Sequence, residues 1–273
     1  MSPAISVRRA ATVADYRACQ EAQRRAWGVV EGNDIVPVAT MVGAQHHGGL
    51  VLGAFLPGGE AVGLSFAFLG RTEGRLCLYS QLTGVVPGYQ GQGIGFRLKT
   101  TQREIARGDG VPCVAWAFDP LQAGNARFNL DTLGATAGRY LEDLYGPRTD
   151  ALNRDTPTDR LIAVWETAPG PRRGFDRVEA EALPRLIAAD PPSFTGLPRG
   201  APRLLLEIPA DVNRLRAEAP ELAACWGSAV RHAFLAVFEA GYRAVGFIRR
   251  ESPGGRRGFY VLETPKGSAD QSA

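Results

Sequence analysis

Histidine and cysteine are scarce in this chain, with three and four copies among 273 residues. Cys19, Cys77, Cys113 and Cys225 lie far apart, form no Cys-x-x-Cys pair, and have only His46, His47 and His232 to join them. Neither zinc-ligand spacing nor a disulfide framework results, so no metal is expected and a reducing, cytoplasmic setting fits. Long apolar runs are missing too. No segment approaches the ~20 apolar residues of a membrane helix, and Met1 to Arg9 carries two arginines without the apolar core of a signal peptide. A soluble protein with no membrane partner is the expectation. Charge of one sign is equally thin, because 31 basic residues face 28 acidic ones for a net +3. With no dense basic run there is no nucleic-acid footprint, and nucleic acid is not expected as a partner.

What the chain does have is the composition of an ordinary folded protein, 45% hydrophobic and 22% charged. Its length suits one domain plus an addition. Pro169 to Gly174, reading Pro-Gly-Pro-Arg-Arg-Gly, offers neither helical nor strand period and several breakers. The expected boundary lies there, giving a domain over 1–168 and a smaller α/β unit over 169–273.

Ile5 to Arg9 alternates like a strand, and Thr12 then opens an amphipathic helix that Gly28 stops. Leu50 to Leu56 and Ala61 to Leu69 flank Pro57-Gly58-Gly59 as a hairpin, and Leu76 to Val86 continues as a third strand. From Ile94 the period becomes helical, with Ile94, Leu98, Thr101 and Ile105 on one face and Lys99, Arg103 and Arg107 on another, until Gly108. Val111 to Phe118 reads as a buried strand, Gln122 to Leu133 as a short helix, and Thr136 to Tyr145 and Arg160 to Thr167 as strands. In the second unit a helix is expected near Val178 to Ala188 and a strand over Leu204 to Ile208. A long helix follows, striped by Leu222, Trp226, Val230, Phe234 and Val237, and then strands at Val245 to Ile248 and Phe259 to Leu262.

The chemistry concentrates in Val85-Val86-Pro87-Gly88-Tyr89-Gln90-Gly91-Gln92-Gly93-Ile94-Gly95-Phe96, a strand, a glycine-rich turn and a helix start in succession. Unpaired N–H groups and the helix dipole make such a turn an anion site, and glycine lets a pyrophosphate approach the backbone. The stretch lacks the Gly-Lys-Ser/Thr of a P-loop. Gly91, Gly93 and Gly95 give Gly-x-Gly-x-Gly rather than the dinucleotide fingerprint, and the preceding strands look antiparallel rather than Rossmann-like.

Gln90 to Gly95 resembles the Gln/Arg-x-x-Gly-x-Gly/Ala signature of the GNAT acyltransferases, including the apolar strand and Val-Pro before it, and the resemblance extends over about Ile5 to Thr167. Asp119-Pro120-Leu121, Asn125-Ala126-Arg127-Phe128-Asn129-Leu130, Leu152-Asn153 and Asp159-Arg160 further resemble a subgroup of predicted GNAT enzymes with a similar tail. The resemblance implies an α/β (α+β) fold with a mixed, mostly antiparallel sheet flanked by helices. It also implies a strand before the signature that splays from the next one, and acetyl-CoA or another acyl-CoA, such as succinyl-CoA, as cosubstrate. Gly84, Val85 and Val86 would then pair with pantetheine. Gln90, Gly91, Gln92, Gly93, Ile94, Gly95 and Phe96 would hold the pyrophosphate.

The implied activity is acyl transfer to the amine of a small molecule, an amino acid being one option, with a CoA-binding or structural protein without turnover as the alternative. A backbone N–H near Val86 is the expected oxyanion donor. Leu130 stands where the resemblance places an acidic Tyr, so Asn125 and Asn129 are candidates to bond the pantetheine amides or the thiolate. The strand from Leu76 to Val86 holds no acid. His47, beside His46, is therefore a candidate base, or one of two surface histidines before a turn. Tyr140 and Tyr145 are alternative acids or core aromatics. Arg139, Arg148, Arg154 and Arg160 offer a bidentate grip on an acceptor carboxylate or plain surface ion pairs. Lys99, Arg103 and Arg107 form a solvated face or meet the CoA 3′-phosphate. The tail would shape the acceptor pocket or a homodimer.

Overall fold

The structure, a computed structural model, describes residues 4–28, 35–146, 157–170, 182–252 and 255–264. The chain divides into two compact units, one comprising Met1–Trp116 with Glu166–Gly170 and the other Ala117–Trp165 with Pro171–Ala273. The chain crosses between them three times: the first two crossings, at 116/117 and 165/166, each fall inside a strand, and the third, at 170/171, falls within the proline-glycine run.

The first unit contains strands β1 (Ser6–Arg9), β2 (Leu50–Phe55), β3 (Ala61–Thr72), β4 (Arg75–Val85) and β5 (Cys113–Phe118), in that order across the sheet. β1 to β4 pair antiparallel and β5 joins β4 in parallel. Helices α1 (Val13–Trp27), α2 (Val38–His46) and α3 (Ile94–Gly108) pack on this sheet. Tyr16, Cys19, Met41, Val51, Phe55, Leu64 and Phe66 form a core that β2 and β3 share with α1 and α2. The mixed, mainly antiparallel α/β class is the expected one.

Local chemistry fixes the entry. Thr12 caps α1 by accepting from the Asp15 N–H at 3.2 Å, and the Asp15 carboxylate accepts from the N–H groups of Thr12 and Ala11. This is a capping box with Asp in place of the usual Glu. Arg8 on β1 donates twice to the same carboxylate, at 2.7 and 2.8 Å, and its guanidinium lies 4.0 Å from the Phe55 ring centroid. At the other end Gly28, at φ +62°, adopts the left-handed conformation that closes a helix.

The second unit holds α4 (Ala123–Ala126) running into a π-helical turn (Arg127–Thr132), then β6 (Thr136–Leu141), β7 (Arg160–Glu166) and a hairpin of β8 (Ile187–Ala189) and β9 (Pro192–Phe194). β10 (Arg203–Pro209), α5 (Val212–Glu218), α6 (Pro220–Glu239), β11 (Arg243–Ser252) and β12 (Gly255–Glu263) complete it. Its strands lie in the order β7-β6-β11-β12-β10. Trp226, Val230, Phe234 and Val237 of α6 are buried as expected, with Phe234 edge-on to Tyr260 and stacked on Tyr140.

Four expectations need correction. Residues 183–186 are not helical and 187–188 belong to β8, because Pro184 interrupts any helix there; 178–181 lie outside the described residues. α2, whose apolar residues follow no clear helical period, was not expected; His46 ends it and His47 is its C-cap. Leu222 is 40% exposed and leaves the α6 stripe. α3 turns Ile94, Leu98, Lys99, Gln102 and Ala106 inward rather than Thr101 and Ile105.

The Arg8 guanidinium and the two N–H groups hold the Asp15 carboxyl well below its ordinary value of 3.8, against the opposing effect of burial. A depressed carboxyl stabilises the fold above its unfolded pKa and loses that contribution as pH falls. Asp15→Ala should therefore cost about 1–2 kcal/mol in urea unfolding at pH 7. The difference from wild type should shrink as pH drops below 3.8; an equal difference at pH 7 and pH 3 would show that the carboxylate charge contributes nothing.

Candidate functional site

β4 changes partner along its length. Phe66 of β3 faces Leu82 and Ala67 faces Ser80, which leaves Gln81 as the extra residue of a β-bulge. On its other edge β4 pairs with β5 only at Leu78 with Val114 and Tyr79 with Ala115. The two strands part where the bulge begins, as the resemblance implied. The Val86 N–H donates to the Val62 carbonyl at 3.0 Å. Alternation of hydrogen-bonding direction then turns the backbone groups of Val85 and Thr83 toward the edge facing away from β3. Gln90 confirms that direction at Val85, whose carbonyl accepts from its Nε2 at 3.0 Å. The Val86 N–H is itself occupied, and the neighbouring N–H groups of Thr83 and Val85 face away from β3.

Beyond β4 the chain makes a single 3₁₀ turn (Pro87–Tyr89) and enters α3 through Gly91 and Gly93, at φ +76° and +75°. Any other residue would be strained at these angles, and a Cβ at either position meets nothing within 4 Å. The turn is therefore open on its outer side. Gly93 caps α3 without a side-chain hydrogen bond, no acid stands in the first turn, and the first intrahelical donor is the Arg97 N–H, to Gly93 at 3.0 Å. The N–H groups of Ile94, Gly95 and Phe96 thus open the helix at the positive end of its dipole. Gly84, Val85, Val86 and Gln90 to Phe96 all come together here, on one strand end and the turn that follows it.

A polar layer lies beneath the parting strands. The Lys99 side chain is buried between α3 and the sheet, donating from Nζ to Ser80 Oγ at 2.9 Å, with Nζ 3.7 Å from the Trp116 ring centroid. Burial pushes its amine well below the ordinary lysine range. Gln102 donates to Ser65 Oγ at 3.0 Å, and Ser65 shares a hydrogen bond with Thr83 Oγ1 at 2.9 Å. Gln102 Oε1 is buried without a hydrogen-bond partner. Lys99, Arg103 and Arg107 accordingly do not form one solvated stripe: Lys99 faces the sheet, and Arg103 donates to the carbonyls of Glu166 and Ala168. The signal for this layer was Ser65 within the apolar run of β3, with Ser80 and Thr83 on β4 and a lysine directly after Leu98.

His47 is exposed at the C-cap of α2, beside the start of β2. In the second unit Asn125 is exposed on α4, while Asn129 and Leu130 are buried in the π-helical turn. The Tyr140 hydroxyl donates to Asp159 at 2.6 Å, and burial together with that carboxylate drives its pKa far above the ordinary tyrosine value. Arg231 grips the same carboxylate at 2.7 and 2.9 Å, so Tyr140 is locked into a structural cluster. Tyr145 is 41% exposed with the Arg160 guanidinium 5.2 Å from its ring. Arg139 is exposed on β6, and Arg148 and Arg154 lie outside the described residues. Among the described residues no cluster of His, Cys, Asp and Glu is placed to hold a metal, and no helix is long and apolar enough to cross a membrane.

No protein-family model matches the chain, and no curated protein does. Solved structures do. The ribosomal-protein-S18-alanine N-acetyltransferase of Escherichia coli is 17% identical, with 63% of this chain and 100% of that one covered at a TM-score of 0.47. Arabidopsis thaliana NAA60 in complex with acetyl-CoA is 15% identical, with 60% and 99% covered at 0.46. An acetyltransferase of the GNAT family from Staphylococcus aureus Mu50 is 12% identical, with 60% and 100% covered at 0.42.

Proposed function

We propose that this chain is an acyl-CoA-dependent N-acyltransferase of the GNAT type that transfers an acetyl or other acyl group to the amine of a small molecule. The observation that carries the reading is the parting of β4 from β5 at Tyr79 and Ala115, followed by an open glycine turn that leads directly into α3. Pantetheine is a narrow chain with two amides and ends in a pyrophosphate. A strand edge that offers alternate N–H and C=O groups suits its amides, and a helix start with three outward N–H groups suits its phosphates.

The chemistry follows from that placement. The thioester lies toward the point where the strands separate, and a gap-facing N–H of β4 receives the carbonyl oxygen as it becomes an oxyanion. The acceptor arrives as an ammonium of pKa about 8–10 and must lose a proton before it attacks. Thiolate leaves readily because a thiol's pKa is about 8.5, which makes the buried Leu130 tolerable where the resemblance places a Tyr. An amino acid is the narrower proposal for the acceptor, since an arginine such as the exposed Arg139 binds a carboxylate bidentately. We propose a cytoplasmic setting and a homodimer or acceptor-pocket role for the tail as parts of the same reading.

A second reading, a CoA binder without turnover, is favoured by Leu130 and by the lack of an acid on β4. Thermal-shift titrations with CoA, acetyl-CoA, succinyl-CoA, ATP and NAD test the site itself, because a ligand bound by the native state alone raises its melting point. CoA esters should shift the transition and ATP and NAD should not; no shift with any CoA species removes both readings. Release of free thiol in the presence of amines then separates enzyme from binder.

Gly93→Val provides a local check. The left-handed backbone should cost about 1–2 kcal/mol of stability, and the new side chain should project into the open side of the turn. CoA affinity should fall at least tenfold while the cooperativity of unfolding is unchanged. Wild-type affinity in this variant would move the phosphate site elsewhere.

A further inference from the structure

The chain contains 29 arginines and only two lysines, Lys99 and Lys266. Lys99 is buried to 4% exposure beneath the point where β4 leaves β5. We infer that Lys99, acting through the hydroxyl of Ser80, accepts the proton that the acceptor amine sheds during acyl transfer; this rests on the acyltransferase reading above.

Three observations meet at this side chain. Its place is right: Ser80, whose hydroxyl lies 2.9 Å from the amine, follows the last β4 residue paired with β5 and flanks the bulge. Its chemistry is right, since arginine stays charged in a protein whereas a buried lysine can rest as a neutral amine and act as a base. Its surroundings suit both protonation states. No carboxylate reaches it among the described residues: β2 presents only apolar residues, β3 presents Ser65, β4 presents Ser80 and Thr83, β5 presents Trp116, and its own helix adds Gln102. The thiols of Cys77 and Cys113 on the same two strands couple electrostatically to Arg75 instead. Burial alone drives the amine toward neutrality. The Trp116 face then offers a transient ammonium the stabilisation that a ring quadrupole gives a cation.

The proton count closes. The acceptor ammonium gives one proton through Ser80 to the Lys99 amine, and the freed amine attacks the thioester carbonyl. The C–N bond forms, the C–S bond breaks, and the second nitrogen proton passes to the departing thiolate, giving amide and CoA thiol. Lys99 then returns its proton to solvent.

Two lysines make the test direct, because ¹³C-lysine labelling yields two side-chain signals and Lys99→Met identifies which belongs to Lys99. The Lys99 signal should titrate below the ordinary lysine value of 10.5. Lys99→Met should keep the CoA-induced thermal shift while turnover falls ~10²–10⁴-fold, the usual share of a general base, and the acid limb of the kcat profile should disappear. Lys99→Arg should not restore the rate. Ser80→Ala, which removes a single oxygen, should lower kcat at least tenfold and weaken the same limb. An ordinary lysine titration, or a wild-type rate and pH profile in Lys99→Met or Ser80→Ala, overturns the assignment and leaves the acyltransferase reading standing. Absence of a CoA shift in the wild type overturns both.

Discussion

One residue too many in β4 governs the candidate site. With Gln81 bulged, β4 stays paired with β3 on both sides of the interruption, its register shifted by one, and its pairing with β5 stops at Tyr79. A bulge sharpens twist and redirects a strand without ending it. The backbone groups beyond it therefore keep their alternating directions yet have no strand beside them, which is an unusual state for an interior edge. The glycine turn and the start of α3 continue from that edge, so the outward backbone groups of β4 are followed directly by the N–H groups that open the helix.

The polar layer under the bulge opposes stability. A buried ammonium without a partner is costly, and replacing buried charge with apolar volume is often neutral or stabilising. Lys99 lessens its own penalty by resting toward the neutral form, and Gln102 leaves one carbonyl oxygen unsatisfied beside it. Such polar groups sit poorly with a purely structural account of α3, because leucine would fill the same space. The Asp159 cluster of the second unit is different in kind. There every oxygen is matched by Tyr140, Arg231 or the Asp143 N–H, and the effect is to tie β6, α6 and the start of β7 together.

Much of the fold was legible because local signals agreed with it. Thr12 with Asp15, Gly28, the Pro57-Gly58-Gly59 turn and the Gly91-x-Gly93 entry each have one structural meaning, and each has it here. The failures have equally particular causes. α2 carries apolar residues all round and no side-chain cap, so it shows neither period nor start signal. The inner face of α3 was misjudged because periodicity weighs hydrophobicity, and the sheet accepts Lys99 and Gln102 only by virtue of Ser80 and Ser65, which lie far away in sequence. The bulge was illegible for a related reason. It shifts a pattern by one residue inside a strand that alternates poorly in any register.

The return of the chain to its first unit has a consequence for how the protein is made. Arg103 bonds the carbonyls of Glu166 and Ala168, Arg75 bonds the Glu166 carboxylate, and the Thr167 N–H reaches Pro112. These contacts join the earliest-synthesised unit to residues that leave the ribosome only after the whole of 117–165. Nascent chains fold as their units become complete. The amino-terminal sheet must therefore wait for these partners of Arg75, Arg103 and the Pro112 carbonyl while 117–165 emerges. The order of synthesis and the order of completion are not the same in this molecule.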